Sequence, residues 1–314
     1  MSNKHSLVLH TILVILTLLT LLPFFFVVNN SFRTNSELYH TFFGLPQNLL
    51  NAVRAIHADL TGKDIIFHAE NDAGEPVQAP PKPAINLYLR TMTKGYRYAW
   101  QVISPYLVNS FVVCLSTAVG VVLLASLSAY VISRYRFPGA KLIFYYIIGT
   151  MMFPGILTLV PSFLLVKRLG LLDTYWVMIL PYVASGQVFA LFLFKGFFDG
   201  LPEELFESAR LDGAGHLQCY RHIVIPLSKP IFSLVFIINI MGTWNNFLWP
   251  FITNTEGKYH VIASGLYVLA TSPHAANYST LFAAYMISSI PLLLLFVFST
   301  RTFIQGVTSG AFKA

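Results

Sequence analysis

Charge is scarce in this chain. Its 314 residues hold 13 acidic and 20 basic side chains, 11% in all, where a soluble protein carries about 25%. The two cysteines, Cys114 and Cys219, fall in an apolar run and in a charged loop, so no disulfide framework is implied. The motifs of catalysis are missing as well: there is no GxxxxGK[ST], no HExxH, no CxxC and no GxSxG. The chain therefore has no phosphate-cradling loop of its own and no visible home for catalysis. The nine histidines form no i, i+4 pair with a carboxylate as third ligand, so no metal site is expected.

What is present is apolar. At 55% hydrophobic residues and mean hydropathy +0.64, the sequence reads as an integral membrane protein. The net charge of +7 comes from basic residues scattered between apolar runs, the pattern of juxtamembrane loops and not of a nucleic-acid surface. Six runs reach the ~20 residues a span needs: Leu7–Val28, Pro105–Ile132, Leu142–Val166, Trp176–Phe194, Ile231–Ile252 and Ser279–Thr300. The first is too long for a signal peptide and lacks a small-x-small cleavage site, so it reads as a retained span. All 13 acids lie outside these runs. Proton-coupled and many ion-coupled transporters keep a carboxylate inside the membrane, so a transporter of this kind takes its energy from a partner, although sodium sites built from carbonyls stay open.

Lys and Arg split ten and ten between the two sides of the membrane. Seven on one side belong to Asn29–Ser104, and loops beyond ~60 residues translocate largely regardless of charge. Discounting them leaves ten against three and puts both termini on the cytoplasmic side. The chain divides into residues 1–30 (tail and first span), 31–104 (extracytoplasmic loop) and 105–314 (a helical core with a charged loop at 201–230). In the extracytoplasmic loop, Gly62–Ala84 reads as a strand and a Pro-rich connector. Asn86–Ser104, with Leu87, Leu89, Tyr96 and Trp100, reads as an amphipathic helix feeding the second span.

The charged loop, Leu201–Pro230, is the polar island of the chain. Pro202 suits the start of a helix, Glu203 and Glu204 complement its dipole, and Gly213 stops it. A second short helix is expected over about Ala214–Ile223, ending before Pro226. Two helices hinged at a glycine make a protrusion for a cleft in a soluble partner, or an ordinary helical hairpin.

Spacing favours the first. Glu207-Ser208-Ala209, three residues, Gly213, nine residues, Ile223, one residue and Ile225-Pro226 resembles the EAA loop of ATP-binding-cassette importer permeases. Ser208 replaces alanine and Ile225 replaces leucine. Other stretches are similar to the maltose-type carbohydrate branch: Tyr106-Leu-Val-Asn109-Ser110, Ala129-Tyr130 with Phe137-Pro138-Gly139, Leu169-Gly-Leu-Leu-Asp173-Thr174, Gly242-Thr-Trp244-Asn-Asn-Phe-Leu-Trp249-Pro250, and Phe303-Ile-Gln-Gly306 with Gly310–Ala314. The resemblance covers residues 1–30 and about 104–314, and Gly62–Ala84 stands outside it as an insertion.

The resemblance implies an all-α fold of six transmembrane helices with cytoplasmic coupling helices between the fourth and fifth. It implies a non-enzymatic subunit of an oligosaccharide importer in a bacterial or archaeal inner membrane. Its partners would be a second, pseudosymmetric permease, two ATPase subunits that bind the ATP, and an extracytoplasmic sugar-binding protein. By position, Glu207, Ser208, Ala209, Gly213, Ile223 and Pro226 would couple to the ATPase, Glu207 by pairing with a basic residue there. The tail at Gly310–Ala314 would reach between the ATPase subunits, and Asn254, Thr255 and Glu256 would meet the binding protein unless they form an ordinary turn. Gln187, Asn239, Thr243 and Asn246 could line a sugar path or serve as interhelical glue; Trp249 is a boundary-belt residue or a sugar platform, and Pro154 a kink. Other readings are a permease for a solute such as a glycerol phosphodiester, a secondary transporter, and a membrane scaffold or sensor.

Overall fold

The computed structural model describes residues 3–41, 43–61, 67–70, 76–79, 84–271 and 277–311. Helices dominate: α1 (Asn3–Ser31), α2 (Asn35–His40), α3 (Gln47–Thr61), α4 (Ala84–Arg134), α5 (Ala140–Gly149), α6 (Gly155–Arg168) and α7 (Trp176–Phe198) come first. They are followed by α8 (Glu203–Leu211), α9 (His216–Cys219), α10 (Ile225–Leu227), α11 (Lys229–Trp244), α12 (Leu248–Thr253), α13 (Ile262–Thr271) and α14 (Tyr278–Ala311). The exception is an antiparallel hairpin of β1 (Phe67–Glu70) and β2 (Pro76–Ala79), inside the insertion where one strand was expected. Pro76 opens the second strand at the end of the register, opposite Glu70, where its missing N–H costs nothing.

Among the described residues, four helices are long and apolar enough to cross a bilayer, or up to six if each of two bent pairs is one span. One of those bends and a separate break correct two of the expected runs. The third breaks by 99° between Ala140–Met152 and Gly155–Arg168, far more than a kink. Proline disfavours helical backbone in the residue before it, and Phe153 and Pro154 are both extended. The fifth stops at Trp244 and resumes at Leu248. Pro250 then lies in the first turn of α12, where it strands no hydrogen bond, whereas a continuous helix would set it against the Asn246 carbonyl.

Two compact units share the chain: Met1–Ser104 with Leu266–Pro291, and Pro105–Gly265 with Leu292–Ala314. In the first unit α4 buries Met92, Ala99 and Ile103, with Thr91 beside them, while Leu89 and Trp100 are exposed. The buried stripe is thus rotated from the apolar one expected, and Leu87 lies among residues whose side chains are not described. Small residues set that stripe: a Cβ on Gly95 would come within 2.7 Å of Ser279 Oγ. Tyr96 and Ser31 share a hydroxyl hydrogen bond of 2.6 Å. Arg33, 1% exposed, donates to Asn30 Oδ1 and to the carbonyls of Glu37 and Thr41. That network pins the junction between α1 and α2.

The second unit packs α4, α7 and α11 around Val121, Ala125, Ala129, Ala190, Phe194, Phe198, Leu234 and Val235. Cys219, expected as a loop thiol, joins this core at 4% exposure. Tyr106 lies flat on Gly265, where an added Cβ would approach a ring carbon to 2.2 Å. Gly265→Val is therefore expected to cost about 1–3 kcal/mol by overpacking. Thermal unfolding in detergent checks this, and an unchanged midpoint would refute the close packing.

Candidate functional site

The charged loop is a two-helix protrusion with one face in the core and one in solvent. α8 ends in a glycine-dependent motif: the Ala214 N–H bonds to the Ala209 carbonyl at 2.8 Å and the Gly213 N–H to the Arg210 carbonyl at 3.1 Å. Gly213 sits at φ +81°, a left-handed conformation that costs other residues about 1–2 kcal/mol. Nothing lies within 4 Å of a Cβ added there, so the requirement is conformational and not steric. The Gln218 side chain then caps the second helix by accepting from the Gly215 N–H at 2.7 Å.

The second helix does not end before Pro226, as expected, but runs on to Leu227 and bends by 79° into α11. A widened turn over Tyr220–Val224, in which the Ile225 N–H reaches the Tyr220 carbonyl, shifts the pairing so that Pro226 is carried without a stranded partner.

Of the expected coupling residues, Glu207 and Ser208 face outward and Ala209 faces inward onto the core. The Glu207 side chain has no hydrogen bond or ion pair among the described residues, while Ser208 Oγ donates to the Glu204 carbonyl at 2.9 Å. Ala209, Gly213 and Ile223 line one hollow of about 320 Å³ between the two helices. Pro226 is exposed and stands apart from that hollow. Leu211, one turn on from Glu207 along α8, and Leu217 on α9 are 89% and 74% exposed. Apolar side chains so exposed on a polar loop are unusual without a partner to cover them.

The residues that hold this loop in place escaped sequence reasoning. Arg134, at the end of α4, donates to the carbonyls of Phe198 (2.5 Å) and Leu201 (3.0 Å), pairs with Glu203 at 2.6 Å, and lies 4.1 Å over the buried Phe206 ring. Tyr130 donates to the His216 carbonyl at 3.2 Å, Tyr135 stacks on His216 at 4.0 Å, and Ser126 and Tyr220 share a 2.6 Å hydroxyl bond. An arginine at the end of a span reads as a topology charge, and only the fold shows its fork closing on three groups.

At the far end of the same unit, three stretches that carried the resemblance meet in one polar clasp. Asn109 Nδ2 donates to the carbonyls of Lys258 and His260, both at 2.8 Å, and Tyr175 donates to Asn109 Oδ1 at 2.6 Å. Ser110 Oγ accepts the Ile262 N–H at 2.7 Å. The Asp173 carboxylate accepts the N–H groups of Thr255 (2.6 Å) and Glu256 (3.1 Å). Trp249 is buried and donates from Nε1 to the Val177 carbonyl at 2.8 Å, so it is a core strut and neither a belt residue nor a platform. Asn254 is buried too, leaving Thr255 and Glu256 as the exposed members of the expected binding-protein contact.

The four path residues lie on different segments: Asn239 and Thr243 on α11, Asn246 beyond its end at Trp244, and Gln187 on α7. Asn239 donates to its own helix at Val235, and its Oδ1 rests where a Cβ on Gly186 would come within 2.8 Å. Asn246 Oδ1 accepts the Trp249 N–H at 3.4 Å, and Thr243 is half-buried. Gln187 Nε2 and the Tyr182 hydroxyl are buried with no partner among the described residues. Residues 312–314 of the expected tail lie outside the described residues.

His260 gives the clasp a pH dependence. Burial lowers its pKa, only partly opposed by Asp173, and its Nδ1 is buried without a partner. The unfolded chain therefore binds the proton more readily, and stability present at neutral pH falls as pH drops below about 6.5. His260→Gln is expected to flatten the dependence of the unfolding temperature between pH 7.5 and 5. An equally steep profile in the variant would assign the effect elsewhere.

Residues 121–309, which include the protrusion and most of the clasp, match the binding-protein-dependent transport system inner membrane component family. The chain belongs to that family. It is thus a multi-pass permease component of an inner-membrane transport system. It is 29% identical over 314 residues to a diacetylchitobiose uptake system permease protein of Streptomyces coelicolor, covering 99% of this chain and 90% of that one. It is 35% identical over 205 residues to an sn-glycerol-3-phosphate transport system permease protein of Yersinia pestis, covering 65% and 72%. Its fold is similar, at TM-score 0.74 and 18% identity, to a chain in the crystal structure of a bacterial ABC transporter involved in import of the acidic polysaccharide alginate, over 96% of this chain and 99% of that one.

Proposed function

We propose that this permease forms half of the translocation path of an ATP-driven oligosaccharide importer, working by alternating access. The observation that carries the reading is the protrusion: its inner face is built into the α4–α7–α11 core, while its outer face leaves Glu207, Leu211 and Leu217 bare. A partner closing on that face moves the spans as a body. The chain hydrolyses nothing itself; the ATP is bound by two partner ATPase subunits. A second permease completes the path, and a sugar-binding protein delivers substrate at Thr255 and Glu256. Both termini and the protrusion face the cytoplasm.

A sugar substrate is supported by the diacetylchitobiose relative over nearly the whole chain. The glycerol-3-phosphate relative, at higher identity over a shorter stretch, supports a phosphorylated polyol as the second reading. Gln187 with its unpaired amide would face the solute, joined by Thr243 and the amides of Asn239 and Asn246. None of the apolar helices contains Asp or Glu among its described residues, which supports an external energy source.

Uptake into proteoliposomes carrying the chain, its co-purifying subunits and the binding protein tests this reading. Accumulation is expected with lumenal ATP and not with a proton or sodium gradient alone. Gradient-driven uptake without ATP would overturn it.

A further inference from the structure

One cavity of the second unit lies at the end of the spans that carries the protrusion, yet it belongs neither to the protrusion nor to the clasp. It measures about 870 Å³, inside the range of small-ligand sites. The end of α4, the first turns of α5 and the end of α7 enclose it. Three cations line it: Arg136, Lys141 and Lys195. Lys195 is compensated, since it pairs with Asp199 at 2.5 Å and lies 4.9 Å over the Phe144 ring. Arg136 and Lys141 have no hydrogen-bond or ion-pair partner among the described residues. The lining thus keeps two uncompensated positive charges.

The cavity's other wall is apolar and opens along α5, where Leu142 and Tyr145 are 75% and 67% exposed. Positive charge at a membrane boundary, beside tyrosine and a ten-residue apolar helix, fits a ligand that is anionic at one end and hydrocarbon at the other. We propose that this cavity binds the headgroup of an anionic phospholipid, with Arg136 and Lys141 holding the phosphate and the acyl chains lying along α5. Charge complementarity favours this over a soluble sugar, which needs no uncompensated cations. The apolar wall favours it over free phosphate, which would leave Leu142 and Tyr145 without a role. The site is independent of which solute is transported, so its failure and that of the importer reading are separable.

The test uses the full chain, in the complex in which it purifies, in nanodiscs of mixed phosphatidylcholine and phosphatidylglycerol. Native mass spectrometry counts the lipid retained after release. Selective retention of phosphatidylglycerol is expected, and R136Q/K141Q should weaken it roughly thirtyfold, about fivefold for each charge removed. R136K/K141R, which keeps the charges, should retain it and shows that loss is not misfolding. Equal retention by R136Q/K141Q and wild type would overturn the proposal. So would displacement of the lipid by inorganic phosphate at matched concentration, which would mark a soluble-anion site, or exclusion of lipid by another subunit seated in the cavity.

Discussion

Glu207→Lys should abolish transport while the protein remains inserted and folded. The carboxylate is exposed and has no partner among the described residues, so its loss should change stability by no more than about 0.5 kcal/mol. Reversing the charge against a basic partner at an interface costs about 2–5 kcal/mol or more, enough to lower association by thirtyfold and upward. Two measurements separate these effects: the unfolding temperature should hold, and co-purification of the ATPase subunit should be lost. A variant that transports normally with its ATPase attached would end the assignment of this face. Gly213 sharpens the test, because its left-handed backbone tolerates asparagine far better than a β-branched residue. Gly213→Asn should keep much of the activity and Gly213→Val should lose it. The reverse order would show that the left-handed backbone at Gly213 is not what the coupling requires.

Arg134→Ala should act in the opposite manner, loosening the protrusion from within. It strands the Leu201 carbonyl, leaves the Phe198 carbonyl with the Leu201 N–H alone and Glu203 with Arg210 alone, and uncovers the Phe206 ring. Unsatisfied buried acceptors cost about 1–3 kcal/mol each, whereas Glu203 is half-exposed and contributes little by charge alone. A net loss of about 1–3 kcal/mol follows, with early protease cleavage between Gly200 and Gly215. Arg134→Lys cannot reproduce the fork and should recover only part of it. Unchanged cleavage in the alanine variant would mean that Tyr130, Tyr220 and Phe206 hold the loop alone.

The span runs and the helix punctuation of the protrusion were legible because both are local. Apolar length marks a span, and Pro202, Glu203 and Gly213 mark a helix start and stop within a dozen residues. The breaks at Pro154 and Pro250 were less legible, since hydropathy measures length and ignores direction. The clasp was out of reach: Asn109 meets carbonyls some 150 positions away, and nothing near it announces a partner. Asn254 misled for a related reason. An amide in a polar turn looks accessible, but here the turn folds back under Asp173 and buries it. Leu89 and Trp100 show the limit of periodicity, because small residues such as Gly95 and Ala99 set the packed face while larger ones point away.

α4 is held at both ends of the second unit, by Asn109 in the clasp and by Arg134 against the protrusion. The intervening stretch of helix is about 38 Å long at 1.5 Å per residue. Such a rod works as a lever arm. A tilt of about 5° at the Arg134 end sweeps the Asn109 end through roughly 3 Å, more than the reach of the hydrogen bonds that close the clasp. The two grips therefore cannot both stay shut while α4 swings as a straight rod. Either the clasp residues travel with it as one piece, or the clasp is the latch that a stroke at the other end releases.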